Sequence, residues 1–207
     1  MKTLGFLLFA GVEELDFVGP WEMFKTWERF LGGPASVTVA QQRQPVLCAN
    51  GLSVNPQHDF ADCPPLDLLL VPGGPGTRQE VDNPVLIDFI RMQAANCRYL
   101  LSVCTGSFLL HEAGLLGGKQ ATTHWASLDR LRALGDVQVV QERYVVDGRL
   151  WTSAGVSAGT DMALAFIAAQ AGEEVAQKVQ AGAEYFPDRR RYGQFDADPR
   201  APGYLKR

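Results

Sequence analysis

Short apolar runs alternate along this chain with stretches of helical period. TLGFLLFA (3–10), LDLLLVP (66–72) and YLLSV (99–103) are almost continuously hydrophobic. Runs of that length and density predict strands buried on both faces. Residues 17–31 put Trp21, Phe24, Trp27 and Leu31 on one helical face, with Glu22, Lys25 and Glu28 elsewhere. The same period predicts helices over 84–95, 105–113, 125–133, 160–171 and 173–184. Shorter strands are expected over 36–41, 120–123, 137–140, 144–146 and 150–153. Asn50-Gly51 supplies the turn of a hairpin over 45–56, and Asp147-Gly148 that of a second. Buried strands separated by helices mean a mostly parallel sheet covered on both sides, an α/β domain over residues 1–186. The remainder, 187–207, holds six basic residues against three acids. It is expected to drape on the surface rather than to form a second domain.

Composition narrows the class. With 207 residues, 46% hydrophobic and 20% charged, the chain can build a full core, so disorder and coiled coil are excluded. A net charge of −4 argues against nucleic acid or an anionic membrane as partner. The start, MKTLGFLLFAGV, has the outline of a leader peptide, but Glu13, Glu14 and Asp16 follow with no small-residue cleavage site. It reads as the first strand. No apolar run reaches the roughly 18 residues of a membrane span. Four irregularly spaced cysteines suggest reduced thiols, so a soluble, cytoplasmic protein is expected.

In a parallel sheet, ligands bind beyond the carboxyl ends of the strands. Three such ends carry unusual chemistry: Glu13, Glu14 and Asp16 after the first, Gly73-Gly74-Pro75-Gly76 after LDLLLV, and Cys104-Thr105-Gly106 after YLLSV. Cys104 sits at a strand–turn–helix junction, where a nucleophile is exposed on a sharp turn at a helix start. The helix dipole and free amides there favour a thiolate, with a pKa lowered toward about 7. The amides of Gly73, Gly74 and Thr105 are candidates for an oxyanion-type hole. Asp16 reads either as the N-cap of the following helix or as a carboxyl beside Cys104 with a raised pKa. Glu13 and Glu14 compete for that role. His124 follows a short strand and is as well explained by packing as by a place in the site.

Two motifs mislead. Gly155-Val156-Ser157-Ala158-Gly159 has the spacing of a serine-hydrolase elbow, but the histidine those enzymes carry after the serine is absent, since no histidine follows His124. Ser157 is expected to start a helix and line the pocket. His111-Glu112 opens like a zinc-protease helix and lacks the second histidine, so no metal or other cofactor is expected.

The segments SVCTGSFLLHEAGLLGGKQATTHWASLDRL, LLLVPGGPGT and TSAGVSAGTDMALAFIAAQAGEEVAQKVQ resemble the nucleophile segment, glycine loop and final strand–helix–helix of the ThiJ/PfpI superfamily, relatives of class I glutamine amidotransferases. The resemblance covers about residues 3–186. It implies a flavodoxin-like three-layer α/β sandwich with a cysteine nucleophile elbow, usually as a homodimer. Within the superfamily, ELDFVGPWEMF and C-T-G followed by ATTHW are most similar to the isonitrile (isocyanide) hydratase branch. That implies Cys104 as nucleophile, Asp16 as acid, Thr105 in support, and a small-molecule substrate hydrated to an N-substituted formamide. Substrate contacts are then expected from Gly73, Gly74, Val156 and His124. Thr105 stands where protease-like members have a histidine, and Asp16 where deglycases have a glutamate. A thiol redox sensor and a glyoxalase or deglycase using Cys104 and His124 remain the alternatives. AraC-type regulators share the pattern but carry a DNA-binding domain besides, which this chain is expected to lack. The crowding of tryptophan and phenylalanine on helix 17–31 points to a homodimer through it.

Overall fold

The structure is a computed structural model and describes residues 1–187 and 198–206. In chain order its elements are β1 (Thr3–Leu8), α1 (Glu14–Leu31), β2 (Ala35–Ala40), β3 (Val46–Leu47), β4 (Ser53–Val54), β5 (His58–Asp59), β6 (Leu68–Val71), α2 (Thr77–Glu80) and α3 (Pro84–Asn96). There follow β7 (Tyr99–Val103), α4 (Gly106–Glu112), β8 (Gln120–Ala121), a 3-10 turn (Trp125–Ser127), α5 (Leu128–Arg132), β9 (Gln138–Val139), β10 (Tyr144–Asp147), β11 (Leu150–Ser153), α6 (Ala158–Ala171), α7 (Glu173–Gly182) and α8 (Gly203–Lys206). Seven strands form the main sheet in the order β10-β11-β7-β6-β1-β2-β5, with β10 antiparallel and the others parallel. This is the flavodoxin-like α/β architecture, with helices on both faces of the sheet.

The continuous runs predict their strands well because nothing in them faces water. Leu4, Phe6, Leu7, Leu68, Leu69, Leu70 and Leu101 are fully buried. Each large apolar side chain so buried contributes about 1.5–3 kcal/mol. Phe166 of α6 joins the layers on one face, lying edge-on to Tyr99 and Trp151 at 5.2 Å and tilted against Phe24 of α1 at 5.9 Å. Phe24 in turn meets Phe6 of β1 at 6.1 Å. Helices α1 and α6 can lie this close because their contact carries glycines. A Cβ on Gly19 would stand 2.5 Å from Thr160 Oγ1, and one on Gly159 would stand 2.9 Å from Val103 and 3.0 Å from Pro20.

Three expectations are corrected here. Helix α1 starts at Glu14, three residues before the predicted boundary, so Asp16 lies inside its first turn and is not its cap; the capping position is Glu13. Part of the aromatic crowding of α1 resolves within the chain: Phe17, Phe24 and Trp27 are buried in the core and Trp21 packs edge-on against Phe6, while Phe30 stays exposed. The large apolar side chains that α1 leaves exposed are Leu15, Val18 and Phe30. Strand 120–123 shortens to β8, because Thr122 and Thr123 turn away to bond Thr152 and Cys104.

Both expected hairpins form, with Gly51 and Gly148 at positive φ. Strand β5 and the short helix α2 carry no periodic signal and were not predicted. Of the segment 187–207, residues 188–197 and 207 lie outside the described residues. Its described end folds back, burying Ala201 and setting Arg200 over Trp125. No helix of the described residues is long and apolar enough to cross a membrane.

Candidate active site

The carboxyl ends of β1, β6, β7 and β11 converge, and each delivers one part of a site. At the end of β7 the chain turns through Cys104, whose φ of 55° lies in the left-handed region. The turn is held from three sides. The Cys104 N–H donates to the carbonyls of Ser153 and Ala154 (both 3.1 Å), and its own carbonyl accepts from Thr123 Oγ1 at 2.8 Å. Gly106 completes the junction, since a Cβ there would lie 2.1 Å from the Val71 carbonyl. The elbow expected from sequence is therefore present, and α4 begins directly after it.

A second strained residue faces it from the turn after β11. Val156 has φ of 50°, a conformation that is a clear outlier for a β-branched side chain and costs roughly 1–3 kcal/mol. Its amide lies beside both the Cys104 sulfur and the Asp16 carboxyl. Arg143 holds this turn at both ends. The Arg143 carbonyl accepts from the Ala154 N–H at 2.9 Å, and the Arg143 guanidinium donates to Ser157 Oγ at 3.1 Å while pairing with Asp161. Tyr185 supports that pair by donating to the second Asp161 oxygen at 2.9 Å.

Asp16 completes the centre. It is fully buried, and Oδ2 accepts the Gly73 N–H at 2.8 Å. The other oxygen, Oδ1, is buried with no hydrogen-bond partner, and Cys104 and the Val156 amide are neighbours of the carboxyl. Burial, aided by the nearby Glu13 charge, pushes the carboxyl pKa up to about 8, against the Gly73 bond that lowers it. Asp16 thus carries a proton at neutral pH. Glu13 and Glu14 are drawn off to the β3–β4 hairpin: Asn50 Nδ2 donates to Glu13 at 3.0 Å and to Glu14 at 2.7 Å.

Two chemical expectations change. First, the Cys104 pKa is raised, by burial and then by the adjacent Asp16, while the amides of Thr105 and Val156 pull it back only in part. The local pattern of a helix start favours a thiolate; removal from water outweighs it. Second, Gly73 and Gly74 do not present free amides. Gly73 N–H is bonded to Asp16, and Gly74 N–H donates to Thr105 Oγ1 at 3.0 Å. The amides that do face the sulfur are those of Thr105 and Val156. Gly73 is required for closeness instead: a Cβ there would lie 2.5 Å from the Thr105 nitrogen and 2.9 Å from Asp16 Oδ2.

A cleft of about 250 Å³ opens over this centre. Cys104, Thr105, Gly74, Val156 and His124 line it, as expected, together with Glu13, Thr77, Arg78, Ser127 and Arg130. His124 Nδ1 accepts the Ala126 N–H at 3.2 Å, its ring lies against Gly155, and burial lowers its pKa, so it is neutral. Sequence reasoning missed Thr123, Arg143, Arg78 and Arg130. Thr123 and Arg130 stood in a segment that was noticed, and Arg78 and Arg143 did not.

Residues 2–169 match the DJ-1/PfpI family. Isonitrile hydratase of Pseudomonas putida is 44% identical over 184 residues, covering 89% of this chain and 78% of that protein. The HTH-type transcriptional regulator CdhR of Pseudomonas aeruginosa is 35% identical over 84% of this chain, which spans 52% of the regulator. Among solved structures, a THiJ/PfpI family protein from Pseudomonas syringae superposes with a TM-score of 0.85 at 33% identity, covering 99% of this chain and 83% of that one.

Proposed function

The chain belongs to the DJ-1/PfpI family, and from that premise we propose that it is an isonitrile hydratase-like enzyme that adds water to an isocyanide to give an N-substituted formamide. The observation that carries this reading is the contact of a buried, protonated carboxyl, its Oδ1 unpartnered, with a cysteine on a strained elbow. An isocyanide carbon accepts a nucleophile and a proton at the same atom, and this pair supplies both.

In its reactive form the Asp16–Cys104 pair shares one proton. Sγ bonds to the terminal carbon while the proton held by Asp16 passes to that carbon, giving a thioimidate, R–N=CH–S–Cys104, and a carboxylate. Water then adds its oxygen to the same carbon, and Asp16 relays one water proton to nitrogen. The C–S bond breaks, the carbonyl forms, and the hydroxyl proton returns to Asp16. The formamide leaves with the thiolate and the acid regenerated. The Thr105 and Val156 amides stabilise the sulfur anion in the first and last steps. No cofactor enters this scheme.

The two alternatives draw less support. A redox sensor uses the thiolate alone and leaves the buried, protonated Asp16 carboxyl without a role. A glyoxalase or deglycase needs a working base at His124, whose Nδ1 is spent on Ala126. The test is loss of the isocyanide infrared band for cyclohexyl and aryl isocyanides, with the formamide identified as product. Turnover by the wild type and none by Cys104→Ala supports the reading; no turnover by reduced, folded wild type overturns it.

A further inference from the structure

The cleft above Cys104 has more positive charge than an apolar isocyanide needs. Arg78 on α2 and Arg130 on α5 both line it. Both are exposed at its mouth, and among the described residues neither makes an ion pair or a side-chain hydrogen bond. The acids nearest to them in sequence or in the cleft are engaged elsewhere: Asp129 with Arg132, Glu80 with Asn83, and Glu13 with Asn50. Arg130 is held in place by stacking, its guanidinium carbon 4.1 Å from the Phe108 ring centre, an arrangement that leaves the donor edge of the fork open. Among the residues lining the cleft, Glu13 is the single acid set against two cations.

We propose that the substrate of this site carries a carboxylate, bound by Arg78 and Arg130 while the reacting carbon lies at Cys104. This rests on the hydratase reading for the identity of the reacting group, and on the cleft alone for the anion. A guanidinium fork matches a carboxylate with two parallel hydrogen bonds, so the pair would both select the substrate and aim its other end at the sulfur. The substrate class is then an isocyano carboxylate rather than a neutral alkyl isocyanide.

Two measurements test it with separate points of failure. The first compares kcat/KM for isocyanoacetate and its neutral analogue isocyanoacetamide. Charged hydrogen bonds of the usual strength predict a preference for the anion of about tenfold or more, and a fall in that ratio of about tenfold in Arg78→Gln or Arg130→Gln. The second compares the rates at which iodoacetate and iodoacetamide alkylate Cys104, which requires no hydration chemistry. The iodoacetate-to-iodoacetamide ratio is expected to exceed that of a free thiol and to fall in both arginine variants. An unchanged alkylation ratio in both variants, or equal use of both isocyanides, overturns the proposal. A selective alkylation ratio without hydration of any isocyanide overturns the hydratase reading and leaves the anion site standing.

Discussion

Two junctions of this molecule are built to one plan and do different work. Strands β7 and β11 pair in register, Val103 beside Ser153. Each runs into a non-glycine residue at positive φ, Cys104 and Val156, and each then starts a helix. Both sequences offer a nucleophile at the turn, Cys104 in one and Ser157 in the other. At the first junction the strained residue is itself the nucleophile, so its side chain enters the cleft. At the second, the serine comes one residue after the strained position, and its hydroxyl is bound by Arg143 on the far side of the turn. What the second junction contributes is an amide. A motif therefore names residues, while the backbone decides which of them faces the substrate.

Substitutions can break this contrast. The largest effect is expected for Cys104→Ala, which should cut formamide production by about 10⁴-fold or more in a steady-state assay. Asp16→Asn removes the proton donor and should cost roughly 10²–10⁴-fold in kcat with the fold intact by circular dichroism. In the wild type kcat/KM should rise with pH, reach half its maximum near about 8 and level off above that, because the doubly protonated pair must lose one proton to react. Arg143→Ala frees the Val156 turn and should lower kcat by up to ~10²-fold while KM changes little, with partial recovery in Arg143→Lys. Ser157→Ala loses one bond to Arg143 and should cost about tenfold at most. A serine as indispensable as Cys104 would erase the distinction between the junctions.

A smaller effect sharpens the comparison through stability. The carboxyl of Asp16 moves from an ordinary 3.8 to about 8 on folding. A raised folded pKa contributes stability that is complete below the unfolded value and is lost as pH rises through the folded one. The wild-type Tm should therefore carry a downward component between pH 4 and 8 that Asp16→Asn lacks. A Tm difference between the two proteins that does not change over that range would contradict a protonated Asp16.

The parts legible in the sequence are those fixed by local pattern. Strands β1, β6 and β7 show as unbroken hydrophobic runs, and the placement of Asp16, Gly73 and Cys104 at one end of the sheet follows from them. What stayed hidden depends on distance in the chain. The start of α1 was misread because an acid before a helix resembles a cap, whereas Asp16 is directed inward to Gly73 by tertiary packing. The thiolate expectation rested on the helix start and could not include the depth at which Cys104 is buried. Which amides face the sulfur follows from the φ of Val156, a strain that no propensity records. Arg78 and Arg130 look like any surface arginine until the cleft brings them together.

The pairing of β11 with β7 has a consequence for how the protein comes to be active. Residues 16, 73, 104 and 156 meet in one site, and the amide of Cys104 has no acceptor until Ser153 and Ala154 arrive. A chain emerging from the ribosome would thus have most of its length synthesised before its cysteine gains its orientation. Contacts of such long sequence separation form late and slowly. Chemical competence then arrives with the last strands of the sheet, and a truncated product ending before β11 would be folded in part and catalytically silent.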